Sequence, residues 1–226
     1  YYFIIFLGMK KHLFNLTIWL ILFASCSSQT KPTPDKLVLI KEYIPGIDID
    51  LKYSTMENFT DTILYPTDSC WLAYGAVQNL KLVEDSLNNI REYQGKLYPK
   101  GIGLRIWDGF RPISVQYKMW EIVPDSRYVA DPRKGSSHNR GGAVDVTLID
   151  KATGKELLMP TGFDFFGEKA HHSFQGHNEE ILNNRELLRK VMEDVGKFSL
   201  YEEEWWHYKF PPSDDYPLRD WEDKQH

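Results

Sequence analysis

The sequence contains little cysteine, no excess of positive charge, no internal repeat and no low-complexity segment. With two cysteines in 226 residues, Cys26 and Cys70, it cannot form a disulfide framework, and we expect Cys70 to be a small buried side chain rather than a nucleophile. A formal net charge of -5 gives no cationic surface for nucleic acid, so no nucleic-acid partner is expected. Hydrophobic residues make up 42% of the chain, which is enough for one domain with a substantial core.

Residues 1–26 have the pattern of a signal peptide. A positive segment begins at Met9, which we expect to be the true start, and the apolar segment 13–23 that follows is too short to span a bilayer comfortably. Residues 1–8 would then lie upstream of the translated protein. Ala24-Ser25-Cys26 resembles a bacterial lipobox, in which Cys26 is lipidated. Secretion without lipidation and a retained membrane anchor are the alternatives.

The rest of the chain is therefore expected in the periplasm or at the cell envelope, attached to the membrane only through the lipid on Cys26. Residues 27–36 are polar and contain two prolines, a composition that predicts a flexible tether. Residues 37–226 are predicted to form one domain.

The apolar residues of this domain predict helices and short strands in groups rather than in strict alternation. Apolar positions three and four apart predict two amphipathic helices, over 72–93 and over 178–195, the second ended by Gly196. Pro112 fits the first turn of a third helix. Grouped elements predict an α+β fold with a central antiparallel sheet flanked by helices. Strands are predicted at 37–40, 47–51, 101–108, 142–149 and within 198–210.

Two histidines and an aspartate supply the ligands of a predicted metal site. His138, Asp145 and His207 offer nitrogen and oxygen donors, which suit Zn²⁺, and three protein ligands leave a fourth position for water, as in catalytic zinc sites. Glu204 is not needed as a ligand and is free to act as a base on that water. The pattern predicts a zinc hydrolase with one Zn²⁺ per chain.

The predicted strands place conditions on this site. Val144, Val146 and Leu148 alternate with Asp145, so Asp145 is expected on the open side of its strand. Residues three apart on a regular strand point to opposite faces. Glu204 and His207 can therefore face one metal only if a bulge or bend intervenes.

A second group of histidines, His171, His172 and His177, is an alternative cluster. Adjacent histidines on one backbone rarely converge on a metal, and no glutamate stands in a matching position. We expect these three residues to lie in a loop or behind the site.

The segments that carry the predicted ligands read Ser136-x-His138-x-x-Gly141-x-Ala143-x-Asp145 and Glu204-Trp205-Trp206-His207-Tyr208. They resemble the signatures of VanX-type D-Ala-D-Ala dipeptidases. The resemblance covers the whole predicted domain, and it implies the zinc-binding fold that these enzymes share with lysostaphin-like peptidases and Hedgehog domains. Further matching stretches are Tyr53 before Asn58-Phe59, the segment 107–112, and Phe163-Asp164-Phe165 before His171-His172.

The resemblance implies a catalytic role for five positions. His138, Asp145 and His207 would hold Zn²⁺, and Glu204 would take a proton from the attacking water and pass it to the leaving amine. Arg111 would stabilise the oxyanion of the tetrahedral intermediate, a task that suits a permanently charged, planar donor. In the alternative reading, Arg111 only pairs with a neighbouring aspartate at a surface turn.

Substrate-binding positions also follow from the resemblance. Tyr53 and Asp164 would hold the free ammonium of the dipeptide, and Ser136 would lie near the substrate. An ammonium taken out of water needs a charged or polar partner, although Asp164 could instead cap a helix or turn. Trp205 and Trp206 are expected to pack on the two faces of their strand.

The connection from Arg111 to His138 spans 27 residues, fewer than we expect for VanX-type enzymes. A shorter connection beside the cleft would widen the pocket. Hydrolysis of free D-Ala-D-Ala is therefore the first expectation, and a peptidoglycan D,D-carboxypeptidase or endopeptidase is the alternative. A non-catalytic binding lipoprotein fits less well, because a binder needs no general base such as Glu204.

Overall fold

The central sheet places the predicted ligands on neighbouring strands. A computed structural model of the chain describes residues 31–126 and 128–225. The predicted signal peptide, Cys26 and the start of the tether lie outside the described residues. The strands are β1 Leu37–Leu39, β2 Asp48–Ile49, β3 Trp71–Ala73, β4 Glu92–Tyr93, β5 Lys96–Leu97, β6 Ile102–Asp108, β7 Ala143–Asp150, β8 Lys155–Glu156, β9 Ser199–Tyr201 and β10 Glu204–Lys209. The α-helices are α1 Ile40–Tyr43, α2 Tyr74–Asn88, α3 Ile113–Ile122 and α4 Glu179–Lys190.

Six of these strands form one sheet in the order β2-β6-β7-β10-β9, with β8 pairing to β7. All of its pairs are antiparallel except β2 with β6, which run parallel. The α+β class with a central antiparallel sheet is confirmed, and the parallel pair at this edge was not predicted. The chain between β2 and β6 contains β3 and α2, and a connection of that length allows the second strand to return in the same direction. Two small two-stranded antiparallel sheets, β1 with β3 and β4 with β5, are separate from the main sheet.

The long strand β7 is buried along its whole length. The alternation of Val144, Val146 and Leu148 is present, but the other side of the strand is covered too, because Thr147 is also fully buried. The expectation of an open face was therefore wrong for most of the strand. Asp145 alone among these residues lines a cleft.

The helices pack apolar stripes against the sheet. In α2, Leu80, Val83 and Leu87 are fully buried, as the periodicity predicts. The helix starts later than predicted because 71–73 pair with β1 as a strand. Helix α4 continues into a π-helical turn, Val191–Val195, that ends at Gly196 as predicted, and the left-handed residue follows at Lys197 with φ 57°.

The two ends of the domain are attached to its body. Pro34 and Lys36 accept backbone hydrogen bonds from the first turn of α2, so the segment predicted as a tether is docked at its carboxyl end. In the tail, Ser213 is fully buried and Arg219 pairs with Asp35 at 2.7 Å. Cys70 is 3% exposed, which confirms it as a small buried side chain. Within the described residues, no helix has the length and apolar character needed to cross a bilayer.

Candidate metal centre

Three elements bring His138, Asp145 and His207 together. His138 opens a short 3-10 turn that ends just before β7, and Gly141 makes the exit with φ 68°. A side chain at Gly141 would sit 2.9 Å from the backbone nitrogen of Ala73, so both the left-handed turn and the tight approach require glycine here. Asp145 on β7 lies directly opposite His207 on β10, because the two strands pair in that register.

The ligand atoms of these residues have the spacing of a metal site. His207 Nδ1 is 2.9 Å from Asp145 Oδ1 and 3.1 Å from His138 Nε2, and His138 Nε2 is 3.4 Å from Asp145 Oδ1. Tetrahedral Zn²⁺ with bonds of about 2.0–2.2 Å sets its ligands roughly 3.3–3.6 Å apart. A small expansion of this triangle would accommodate the ion, so the donor set fits Zn²⁺ in both chemistry and size.

Hydrogen bonding behind the site orients the first ligand. The His138 ring is buried, and its Nδ1 lies 2.7 Å from the carbonyl oxygen of Gly109. An Nδ1–H donated to that carbonyl leaves the lone pair of Nε2 facing Asp145 and His207, which is the usual arrangement behind a metal-binding histidine. Burial raises the pKa of Asp145, but the nearby His138 and His207 outweigh it and hold the pKa below its usual range.

A β-bulge brings Glu204 to the same side of β10 as His207. The pairing of β10 with β9 shifts register between Glu204 and Tyr208, which is the irregularity that the Glu-x-x-His spacing predicts. Glu204 Oε2 lies 4.0 Å from His207 Nδ1. Burial raises the pKa of Glu204 to about 7, with the Asp145 charge adding to the rise and His207 opposing it. A carboxyl group with a pKa near neutrality can both accept and return a proton.

Arg111 reaches the site from a buried ion pair. Its Nε and Nη2 donate to Asp108 Oδ2 at 3.0 and 2.6 Å, and its Nη2 is 4.0 Å from Asp145 Oδ2. Asp108 is fully buried, so the alternative of a surface turn is wrong. The guanidinium also lies over the Tyr53 ring, 5.0 Å from its centroid. Asp108 was not predicted as a site residue, although an aspartate three residues before Arg111 could have indicated an ion pair between the two.

Asp164 faces the cleft from a left-handed backbone position, with φ 55°. Its two oxygens accept hydrogen bonds from the Tyr53 hydroxyl at 3.1 and 3.2 Å, and Oδ2 also accepts from the backbone N–H of Phe59 at 3.4 Å. These donors lie far from it in sequence, so Asp164 is not a local cap. Burial and then the Asp145 charge raise the pKa of Asp164 well above its usual range.

The other predicted residues differ in what they contact. Ser136 lines the cleft, and its hydroxyl oxygen accepts the backbone N–H of His138 at 3.2 Å. Trp205 and Trp206 are both buried, and only Trp206 lines the cleft. His171, His172 and His177 do not form a metal cluster in the part of the chain that the structure describes.

The cleft around these residues encloses about 490 Å³. Beyond the predicted residues it includes Lys209, which sequence reasoning missed although it stands two positions after His207 on the same strand. Residues that line the cleft include Tyr53, Phe59, Arg111, Tyr128, Ser136, His138, Asp145, Asp164, Phe166, Ser199, Tyr201, Glu204, Trp206, His207 and Lys209.

Comparison with known proteins gives matches over most of the chain. A family model described as D-ala-D-ala dipeptidase matches residues 33–222. The chain is 32% identical to a D-alanyl-D-alanine dipeptidase of Escherichia coli over 183 residues, which cover 81% of this chain and 89% of that relative. It is 34% identical to a D-alanyl-D-alanine dipeptidase of Enterococcus faecalis over 190 residues, 76% of this chain and 90% of the relative.

Proposed function

The chain belongs to the D-Ala-D-Ala dipeptidase family of metallopeptidases, and on that premise we propose that it hydrolyses D-alanyl-D-alanine to two molecules of D-alanine with one bound Zn²⁺. The observation that carries the proposal is the triangle of His138, Asp145 and His207 with Glu204 and Arg111 beside it. These three ligands would hold the ion, which supplies a Lewis acid and lowers the pKa of a water in the open fourth position.

Glu204 would move the proton. As the water oxygen attacks the carbonyl carbon of the peptide bond, the Glu204 carboxylate takes one proton from that water. The same proton then passes to the amide nitrogen when the C–N bond breaks, so the second alanine leaves as an amine and the carboxylate is regenerated. The Glu204 carboxyl group lies beside the ligand triangle, with Oε2 4.0 Å from His207 Nδ1, where it can serve both halves of this transfer.

Arg111 would stabilise the negative charge that develops on the carbonyl oxygen. Its guanidinium cannot lose its charge, and Asp108, Gln116 and the Tyr53 ring fix its orientation before substrate arrives. A donor that is already oriented costs no reorganisation in the transition state, which is why such groups contribute strongly to catalysis.

Asp164 and Tyr53 would bind the ammonium of the first alanine. The Asp164 carboxyl group is desolvated and lies near the negative charge of Asp145, so a cation at this position relieves an unfavourable environment. An ammonium placed here would bind the charged form of Asp164. This ion pair between Asp164 and the substrate ammonium favours peptides with a free amino group.

Processing of peptidoglycan stems is the second candidate function, and the size of the cleft supports it. Pockets of about 300–1,000 Å³ hold drug-sized ligands, and 490 Å³ lies within that range. A dipeptide with two methyl side chains leaves part of such a space unfilled. We further propose a location in the periplasm or at the cell envelope, with Cys26 lipidated, on the signal-peptide pattern of residues 1–26.

The two candidate substrates can be compared directly. We would measure alanine release by the zinc-loaded chain from D-Ala-D-Ala and from an N-acylated peptide that ends in D-Ala-D-Ala. Hydrolysis of the free dipeptide alone is the expected result. Hydrolysis of the acylated peptide at a comparable rate would replace the dipeptidase with a stem-processing enzyme.

A further inference from the structure

Lys209 lies in the cleft on the same side of β10 as His207. Alternate residues of a strand share a face, and Lys209 is two positions after His207. It pairs directly with Ser199 on β9, and both residues line the cleft. Cβ atoms of such opposite residues are about 4.5–5.5 Å apart, so the two side chains form one polar patch.

This patch lies at the end of β10 that follows His207, and Glu204 lies at the other end of the same strand. Before His207 on β10, the Trp206 ring packs against the Phe163 ring, with centroids 6.0 Å apart. Asp164 directly follows Phe163 in the chain. Lys209 follows His207 and pairs with Ala143 at the start of β7. The cleft therefore contains a carboxyl group at Asp164, the ligand triangle, and an ammonium group at Lys209.

A free dipeptide carries the complementary charges at its two ends. Two extended residues span roughly 7 Å, and two residues along β10 advance by about the same distance. With its ammonium at Asp164 and its peptide bond at the ligand triangle, a dipeptide needs a cation for its carboxylate beside the triangle, and Lys209 lies two residues after His207 on β10.

Lys209 is also more available than the other strong cation of the cleft. Arg111 has Nε and Nη2 on Asp108 and Nη1 on Gln116, so its guanidinium is already engaged. The Lys209 ammonium donates to Asp214 at 2.8 and 3.0 Å, and these side chains are 35% and 63% exposed. An exposed pair of this kind is weak, and a flexible lysine can exchange it for another carboxylate.

We propose that Lys209, assisted by Ser199, binds the carboxylate of the substrate's C-terminal alanine. Lys209 would thereby select peptides in which the alanine after the cleaved bond carries a free carboxylate. The inference rests on the proposed function and adds a specificity residue to it. Lys209 takes no part in the bond cleavage.

The test compares two substrates that differ only at the carboxylate. The full zinc-loaded chain and its Lys209→Met variant would be assayed with D-Ala-D-Ala and with D-alanyl-D-alaninamide, which has the same peptide bond and ammonium but no carboxylate. Lys209→Met should raise KM for the free dipeptide by ~10-fold or more, leave kcat within about twofold, and leave KM for the amide unchanged. Lys209→Arg should keep most of the preference for the free dipeptide.

Asp214→Ala is the matched control, because it breaks the same ion pair from the other side. It should not raise KM for the free dipeptide. If Asp214→Ala raises KM for the free dipeptide as Lys209→Met does, the effect is structural and the inference is wrong. The same holds if Lys209→Met raises KM for the dipeptide and for the amide equally. An unchanged KM in Lys209→Met, with active wild type, also overturns this inference alone. A wild-type chain inactive on both substrates overturns the proposed function and the inference with it.

Discussion

Arg111 donates through both Nε and Nη2 to a single oxygen of Asp108, at 3.0 and 2.6 Å. The other oxygen of Asp108 accepts the Tyr65 hydroxyl at 2.6 Å and the backbone N–H of Gly109 at 2.9 Å. Since Asp108 is fully buried, this fixed carboxylate holds the Arg111 guanidinium 4.0 Å from Asp145, one of the proposed metal ligands. Charged hydrogen bonds of this geometry orient a donor strongly.

Replacing Asp108 with Asn should therefore impair catalysis more than binding. The amide cannot accept both Arg111 donors with a full charge, so the guanidinium loses its fixed orientation. We expect kcat to fall by roughly 10²-fold or more while KM changes little, as for loss of an oxyanion donor. Steady-state kinetics on D-Ala-D-Ala would measure this. Asp150→Asn, another buried aspartate, is the control for general destabilisation, and an equal loss in both variants would refute the positioning role.

The separate roles of base and ligand predict different metal contents. Glu204→Ala should retain one zinc per chain and lose turnover by roughly 10²–10⁴-fold, because only the proton acceptor is removed. His138→Ala should lose the metal, since one of three protein ligands is gone. Metal analysis after dialysis distinguishes the two variants. Zinc loss in Glu204→Ala would make Glu204 a ligand, and full zinc in His138→Ala would place the site elsewhere.

Removing the charge of Asp164 should weaken the binding of substrates that carry a free ammonium group. Asp164→Asn keeps the shape of the side chain, and we expect KM for D-Ala-D-Ala to rise by about 10–100-fold with a smaller change in kcat. Tyr53→Phe should have a milder effect, because the ring that supports Arg111 remains. Kinetics on the free dipeptide would measure both changes. An unchanged KM in Asp164→Asn would contradict the ammonium site.

Buried His172 predicts a pH-dependent stability. Burial lowers the pKa of its ring to about 4, against about 6.5 in the unfolded chain, and neither ring nitrogen has a hydrogen-bond partner within the described residues. Between these two pH values, the His172 ring binds a proton in the unfolded chain but not in the folded chain. Above pH 6.5 the ring is neutral in both states, and His172 causes no loss of stability. As the pH drops from 6.5 to 4, the free energy of unfolding should fall by up to about 3 kcal/mol.

Urea unfolding of the wild type and of His172→Phe at several pH values would isolate this contribution. The variant should lose much less stability between pH 6.5 and 4. His177→Gln is the matched control, because that ring lies in the same segment but bonds the Lys169 carbonyl at 2.8 Å. A wild-type pH dependence in His172→Phe would show that this histidine is not responsible.

The sequence predicted the ligand-bearing strands because their residues alternate or follow recognisable turns. It predicted that Glu204 and His207 need a bulge, and the register shift on β10 supplies it. It could not predict that β2 runs parallel to β6, since two residues carry no signal of direction. Asp108 and Lys209 were missed for a related reason. Their spacing from Arg111 and His207 was visible in the sequence, but their importance depends on which side chains they face in space, and spacing alone does not show that.

Zinc-dependent hydrolysis is tested most directly by measuring alanine release from D-Ala-D-Ala with the zinc-loaded chain, with the chelated chain, and after one equivalent of zinc is returned. Glu204→Ala serves as the blank. We expect two alanines per dipeptide, loss of activity on chelation and its recovery with zinc. No release by the zinc-loaded wild type, or equal release by the blank, would contradict this expectation.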